Sequence, residues 1–330
     1  MALQGRDSLT EVTINLPSGL ITLPVHKSCC DDSGGVGEVI KDAGDDPDIT
    51  DGVTLKVNAR WSGDGAVTIK GGEGVGVVTK PGLSVEPGLP AINPVPRKMI
   101  EDSVREVTDK GVELLVSIPG GAELAAKTFN PRLGIIGGLS ILGTSGIVKP
   151  FSCEAIRDTL DISLNVADVC NIRHIVLVPG RIGEKAARKL FCLENEQLVE
   201  VGNEWGFILD RIKTFSFEAA LIVGHAGKLA KLPQGQWDTH SSRSTSAVPF
   251  VSELTDALFQ KKFPEALTVE GIFQALEPDL QKILATGLSN SIYDAVKARI
   301  GDRCCIAVTL VNMSGIPLGS FGDHSFWTKK

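Results

Sequence analysis

From residue 133 onward the chain alternates short apolar runs with longer amphipathic ones, and several of the apolar runs end in glycine. Residues 175–178 lead through Pro179 and Gly180 into the helix-like stretch 184–193. Residues 198–201 precede the helix-like 205–215, and residues 219–223 stop at Gly224. Two neighbouring parallel strands cannot be joined by a tight turn, so the chain must cross over between them, usually through a helix. Strands so covered are buried on both faces and read as continuous apolar runs. The alternation therefore predicts right-handed βαβ units and a mainly parallel sheet. Residues 131–330 are expected to form a Rossmann-like α/β domain with strands at 133–142, 175–178, 198–201, 219–223 and 304–311. A helix near 153–169 and another at 280–300 complete it; the latter carries Leu280, Ile283, Leu284, Leu288, Ile292 and Val296 on one stripe.

The first part of the chain follows a different pattern. Residues 11–16 and 20–25, on either side of Pro17-Ser18-Gly19, read as strands, as do 53–60 and 66–69, with hairpin pairing the economical arrangement. A Gly/Pro-rich stretch over 71–96 is followed by a helix through Ile100, Val104 and Val107 and by a strand at 112–118. Residues 1–130 are thus expected to be an α+β domain with a mixed or antiparallel sheet. Two domains suit a chain of 330 residues with 42% hydrophobic and 22% charged residues. No apolar run approaches the roughly 20 residues of a membrane span and no secretory leader is evident, which predicts a cytoplasmic protein without a membrane partner.

Seven cysteines without C-x-x-C spacing, in a chain this long, read as reduced thiols. The net charge of -7 and 5% aromatic content disfavour nucleic acid as a partner. Basic residues nevertheless gather near the glycine turns, Arg132, Lys149, Arg181 and Lys228 among them, as an anionic small molecule would require. Motifs for serine hydrolases, zinc peptidases and P-loop enzymes are missing.

Three glycine turns carry the chemistry: Gly143-Thr144-Ser145-Gly146, Gly180 to Gly183, and Gly224 with His225. A glycine before a helix start lets a ligand approach unpaired backbone N–H groups at the positive end of the helix dipole. In open α/β sheets ligands bind beyond the carboxyl ends of strands, so the turns would share one crevice if their strands are neighbours; three ordinary tight turns are the alternative. Glu200, at the end of the following strand, stands where ribose hydroxyls are bound, with Glu204 its rival. Asp42, Asp45, Asp46 and Asp48 crowd one turn whose spacing is not that of a calcium loop, leaving a metal-free recognition or structural turn. His225 and His240 are candidates for proton transfer, or for capping and hydrogen bonding.

Several long segments, taken together, resemble the CbiD family of cobalt-precorrin-5B C(1)-methyltransferases of anaerobic cobalamin biosynthesis. They include Asp42-Ala43-Gly44-Asp45-Asp46-Pro47-Asp48, Gly71-Gly72-Glu73-Gly74-Val75-Gly76, Pro90-Ala91-Ile92-Asn93-Pro94, Asn130-Pro131-Arg132-Leu133-Gly134, Ser140 through Gly146, Gly224-His225-Ala226-Gly227-Lys228 and Thr239-His240-Ser241. The resemblance spans nearly the whole chain. It implies methylation of C1 of a cobalt-containing tetrapyrrole by S-adenosylmethionine to give cobalt-precorrin-6A, with cobalt carried by the substrate and no metal held by the protein. On that basis Gly143, Thr144, Ser145, Gly146, Gly180, Gly183, Glu200 and Gly224 are assigned to the methyl donor. Asp45, Asp48, Arg132, Lys149, Arg181, Lys228 and His240 are assigned to the anionic substrate, and His225 or Asp46 to proton transfer. Family members begin with a Thr-Thr-Gly and alanine-rich segment that this sequence lacks, since Met1 stands just upstream of the first hairpin. A non-catalytic tetrapyrrole-binding module and a nucleotide- or phosphate-binding enzyme of another class are the competing readings. The oligomeric state is open, a homo-oligomer included.

Overall fold

The computed structural model describes residues 9–31, 34–148 and 153–328. It is a mixed α/β structure in two compact units, Met1–Ser152 and Cys153–Lys330.

In the first unit, β1 (Glu11–Leu16) and β2 (Gly19–Pro24) form the expected antiparallel hairpin around Pro17 and Ser18. β3 (Lys27–Asp31), β4 (Gly34–Ile40) and β5 (Thr54–Ser62) continue as an antiparallel meander. The chain then passes through β6 (Val67–Gly71), β7 (Val77–Val78) and α1 (Pro94–Arg105) into β8 (Gly111–Ser117). The sheet order is β3-β4-β5-β8-β6, so β5 and β6 are not hairpin partners: β8 lies between them, antiparallel to β5 and parallel to β6. The crossover through α1 permits this order. It buries Val112, Leu114 and Val116 of the inserted strand with Ile69, under Ile100 and Val104 of the helix, each fully buried aliphatic side chain contributing roughly 1.5–3 kcal/mol.

A short α2 (Gly121–Ala125) precedes β9 (Ile135–Ile136), which pairs antiparallel with β7. The strand expected over 133–142 therefore shrinks to two residues and lies outside the parallel sheet. Gly134 and Gly137, at φ +76° and +81°, turn the chain at both ends of it. Residues 131–148 consequently pack with the first unit, and the division falls after Ser152 rather than after residue 130.

The second unit opens with α3 (Cys153–Val169), then β10 (His174–Val178), α4 (Arg181–Leu190), β11 (Leu198–Glu200), α5 (Trp205–Ile212) and β12 (Ala219–His225). Four helices follow, α6 (Ala226–Leu229), α7 (Val248–Phe259), α8 (Val269–Gln274) and α9 (Pro278–Ile300), before β13 (Cys305–Val311) and β14 (Pro317–Gly322). The strands lie in the order β11-β10-β12-β13-β14, the first four parallel and β14 antiparallel at the edge.

Burial on both faces follows the two-residue period of a strand. Ile175, Leu177, Ala220, Ile222, Ile306 and Val308 join α3, α5 and α9 on one side. Val176, Val178, Leu221, Val223 and Ala307 meet Ala186 and Ala187 of α4 and Trp327 on the other. Among the described residues no helix is long and apolar enough to cross a membrane.

Candidate functional site

From β10 the chain moves through α4 to β11 on one side, then returns through α5 to β12 on the other. At such a reversal, open α/β sheets usually seat ligands in a crevice beyond the carboxyl ends of the two strands, here β10 and β12. Gly180 caps α4 at φ +153° and ψ -168°, a backbone region nearly confined to glycine. A Cβ built there would meet only Glu200 Oε1, at 3.8 Å. Space for a ligand thus adjoins the unpaired N–H groups of the first turn of α4, and Glu200, the last residue of β11, stands beside it. Of the two acids considered for a ribose, Glu204 is committed elsewhere: it is 5% exposed and accepts from Arg157 Nε at 2.7 Å.

The other two glycines of this edge are packing residues. Gly183 is buried, and a Cβ on it would lie 2.4 Å from the Val223 carbonyl oxygen; one on Gly224 would lie 2.6 Å from Cγ of Pro179. Their missing side chains let α4 seat on β12 and let Pro179 cover the end of that strand. Lys228, on α6, donates to the Pro179 carbonyl at 3.2 Å. Burial pulls its ammonium below the ordinary lysine range, Glu200 opposes that shift, and Lys231 adds to it. Arg181 is exposed on the first turn of α4.

His225 ends β12 and caps α6, its Nδ1 accepting from the Gly227 N–H at 3.1 Å. Its Nε2 lies 2.8 Å from Glu270 Oε2 on α8. Sequence reasoning missed Glu270, which carries no local motif and lies 45 positions along the chain. Glu270, Phe273 and Gln274, with Gln281, Asn312, Met313, Ser314 and Leu318, line a cavity of 370 Å³. The turn between β13 and β14 forms one wall, and a Cβ built on Gly315 in that turn would lie 3.6 Å from Ala186 Cβ and 3.9 Å from the Ile182 carbonyl oxygen of α4. The cavity therefore opens on the same edge of the sheet as the crevice.

His240 is exposed in a separate loop of this unit, where its Nδ1 lies 2.8 Å from Ser242 Oγ and its N–H donates to Asp238 at 3.0 Å.

The remaining residues assigned from sequence belong to the first unit. Gly143, Thr144, Ser145 and Gly146 follow a bridge between Ile92 and Ile141, not a strand of the parallel sheet. Arg132 lies over the ring of Phe129 at 5.3 Å. The acidic turn is knitted internally: Gly44 N–H donates to Asp42 and Ala43 N–H to Asp51, both at 2.8 Å, while Asp48 accepts from Thr50 N–H at 2.8 Å and pairs with Lys41. Burial raises the Asp48 pKa, but the hydrogen bonds from Lys41 and Thr50 prevail and hold it below the usual carboxylate value. Asp45 is exposed and Asp46 half-buried in the same turn. Lys149 lies outside the described residues.

A CbiD family model matches residues 1–150. Over 294 residues the chain is 50% identical to a cobalt-precorrin-5B C(1)-methyltransferase of Syntrophotalea carbinolica, covering 89% of this chain and 84% of that protein. A Methanocaldococcus jannaschii protein of the same name is 38% identical over 333 residues, covering 96% and 88%. Among solved structures, the cobalamin biosynthesis protein cbiD of Archaeoglobus fulgidus aligns over 73% of this chain and 77% of its own, with 26% identity and a TM-score of 0.37.

Proposed function

The chain belongs to the CbiD family, and from that premise we propose that it methylates C1 of cobalt-precorrin-5B, using S-adenosylmethionine, to give cobalt-precorrin-6A. The observation that carries this reading is 50% identity over 89% of the chain to a relative bearing that activity in its name. In this reading Cys153–Lys330 is a Rossmann-like donor domain. Its strand reversal, parallel core and glycine-capped α4 support that reading.

S-adenosylmethionine supplies an electrophilic methyl group. The residues that would hold it are Gly180, whose empty Cβ position leaves room at the helix start, the first-turn amides of α4, and Glu200 for ribose hydroxyls. Gly183 and Gly224 act from beneath by keeping α4 and Pro179 in place. Methyl transfer to carbon is an in-line displacement, so alignment of the two reactants supplies much of the rate gain and no protein nucleophile is needed. Lys228 and Arg181 at the crevice would receive substrate carboxylates, and Arg132 and Lys149 keep their assignment to the same anionic substrate. Asp45, Asp48 and His240 stay with the substrate in this reading. Asp46 and His225 stay the candidates for proton transfer, both ring nitrogens of His225 being engaged with Gly227 and Glu270.

The test is incubation of the full chain with cobalt-precorrin-5B and isotopically labelled donor, followed by mass spectrometry. A product heavier by one labelled methyl group, with an equal amount of S-adenosylhomocysteine, is expected; an unchanged tetrapyrrole overturns the reading. Gly180→Val should weaken S-adenosylmethionine binding by calorimetry about tenfold or more, since it combines backbone strain with a filled cradle. Unchanged affinity moves the donor site elsewhere.

A further inference from the structure

Hydrogen bonding fixes the charge of the pair formed by His225 and Glu270. The Gly227 N–H points at Nδ1 of His225 and requires a lone pair there, so the ring proton sits on Nε2 and is donated to Glu270. A neutral imidazole in this tautomer steadies the carboxylate without cancelling its charge. Glu270 also faces the 370 Å³ cavity, whose lining contains no lysine or arginine, so this carboxylate is the one formal charge among the described lining residues. The volume lies at the low end of small-ligand pockets, roughly 300–1,000 Å³. A polycarboxylate would meet repulsion there with no cation to pair with. A compact ligand bearing positive charge, with edges for the amides of Gln274, Gln281 and Asn312, would meet complementary groups.

The turn that walls the cavity also faces α4: a Cβ built on Gly315 would lie 3.9 Å from the Ile182 carbonyl oxygen in the first turn of that helix. Resting on the donor reading above, we infer that Glu270 recognises the sulfonium charge of the methyl donor and that His225 is the positioning residue that aims the carboxylate. S-adenosylhomocysteine lacks that sulfonium charge. The pair therefore favours the donor over the spent product, and product release is assisted at the moment the charge disappears.

Calorimetry of the full chain with S-adenosylmethionine and with S-adenosylhomocysteine tests this. Glu270→Gln keeps the size and an acceptor for His225 while removing the charge, and should lower the ratio of donor to product affinity about tenfold, mainly by weakening the donor. Glu270→Asp keeps the charge and should retain most of the preference. Met313→Lys, at a rim position 55% exposed where folding tolerates change, adds a cation to the same space and should lower the ratio likewise. Equal losses for both ligands, or a ratio unmoved in Glu270→Gln and Met313→Lys, overturn the inference while the donor reading stands. A wild-type chain that binds neither ligand overturns both.

Discussion

Gly183→Ala isolates what the glycine-lined edge does for the fold. The added carbon would sit 2.4 Å from the Val223 carbonyl oxygen and 3.2 Å from both Pro179 Cδ and Val178 Cβ. A carbon–oxygen contact relaxes at roughly 3.3 Å, so α4 must withdraw from β12 by about 0.9 Å. Overpacking of this kind costs about 1–3 kcal/mol. Alanine's better helix propensity returns up to about 1 kcal/mol, leaving a net loss of about 1 kcal/mol from the middle of that range and at most about 3 kcal/mol. For a unit of this size a loss of about 1 kcal/mol lowers Tm by roughly 2–4 °C. Differential scanning calorimetry of the full chain, with urea unfolding to check that the m-value is unchanged, measures it. Gly63→Ala is the control: no neighbour lies within 4 Å of its added carbon, and its stability should stay within about 0.5 kcal/mol of wild type. A Gly183→Ala chain as stable as wild type, or more so, refutes the close-packing argument.

Lys228 gives a pH signature. Its folded pKa is depressed, chiefly by burial, so the unfolded chain binds the proton more tightly and stability rises as pH climbs through the folded value toward the ordinary lysine value of about 10.4. Lys228→Met should flatten that rise, and its advantage over wild type in urea unfolding at neutral pH should shrink by pH 10; parallel stability curves would contradict the assignment. Arg157→Ala removes the 2.7 Å partner of Glu204, which is 5% exposed. It is expected to cost about 1–3 kcal/mol, and adding Glu204→Gln should recover part of that loss; a silent Arg157→Ala in urea unfolding sinks this view of the pair.

Periodicity made most of the second unit legible before any coordinates. The helix expected at 153–169 has those bounds, and each apolar run that is buried on both faces became a parallel strand. Failures cluster where periodicity is weak. β3 and β4 carry polar residues and glycines between their apolar positions, and β14 begins at a proline and ends at a glycine on the sheet edge. Residues 133–142 looked like one strand because their apolar content outweighed Gly134 and Gly137, whose positive φ angles break the extended run.

The candidate site divides in the same way. Gly180, Glu200, Gly224, His225 and Lys228 converge because local strand and helix signals placed them at strand ends. Glu270 reaches the site through tertiary packing of α8, a relation that no spacing along the chain encodes. The turn from Gly143 to Gly146 does not follow a strand of the parallel sheet, because the strand expected over 133–142 does not form.

The seating of Pro179 on Gly224, and of α4 on β12 through Gly183, leaves the bottom of the crevice no slack. Its shape exists before any guest arrives, so little motional entropy is surrendered on binding at that surface. The same rigidity restricts redesign. A pocket reshaped for a bulkier nucleoside would have to be widened at the rim, through Arg181 or the hairpin carrying Met313 and Ser314, because larger side chains at the base would dislodge a helix before they altered selectivity.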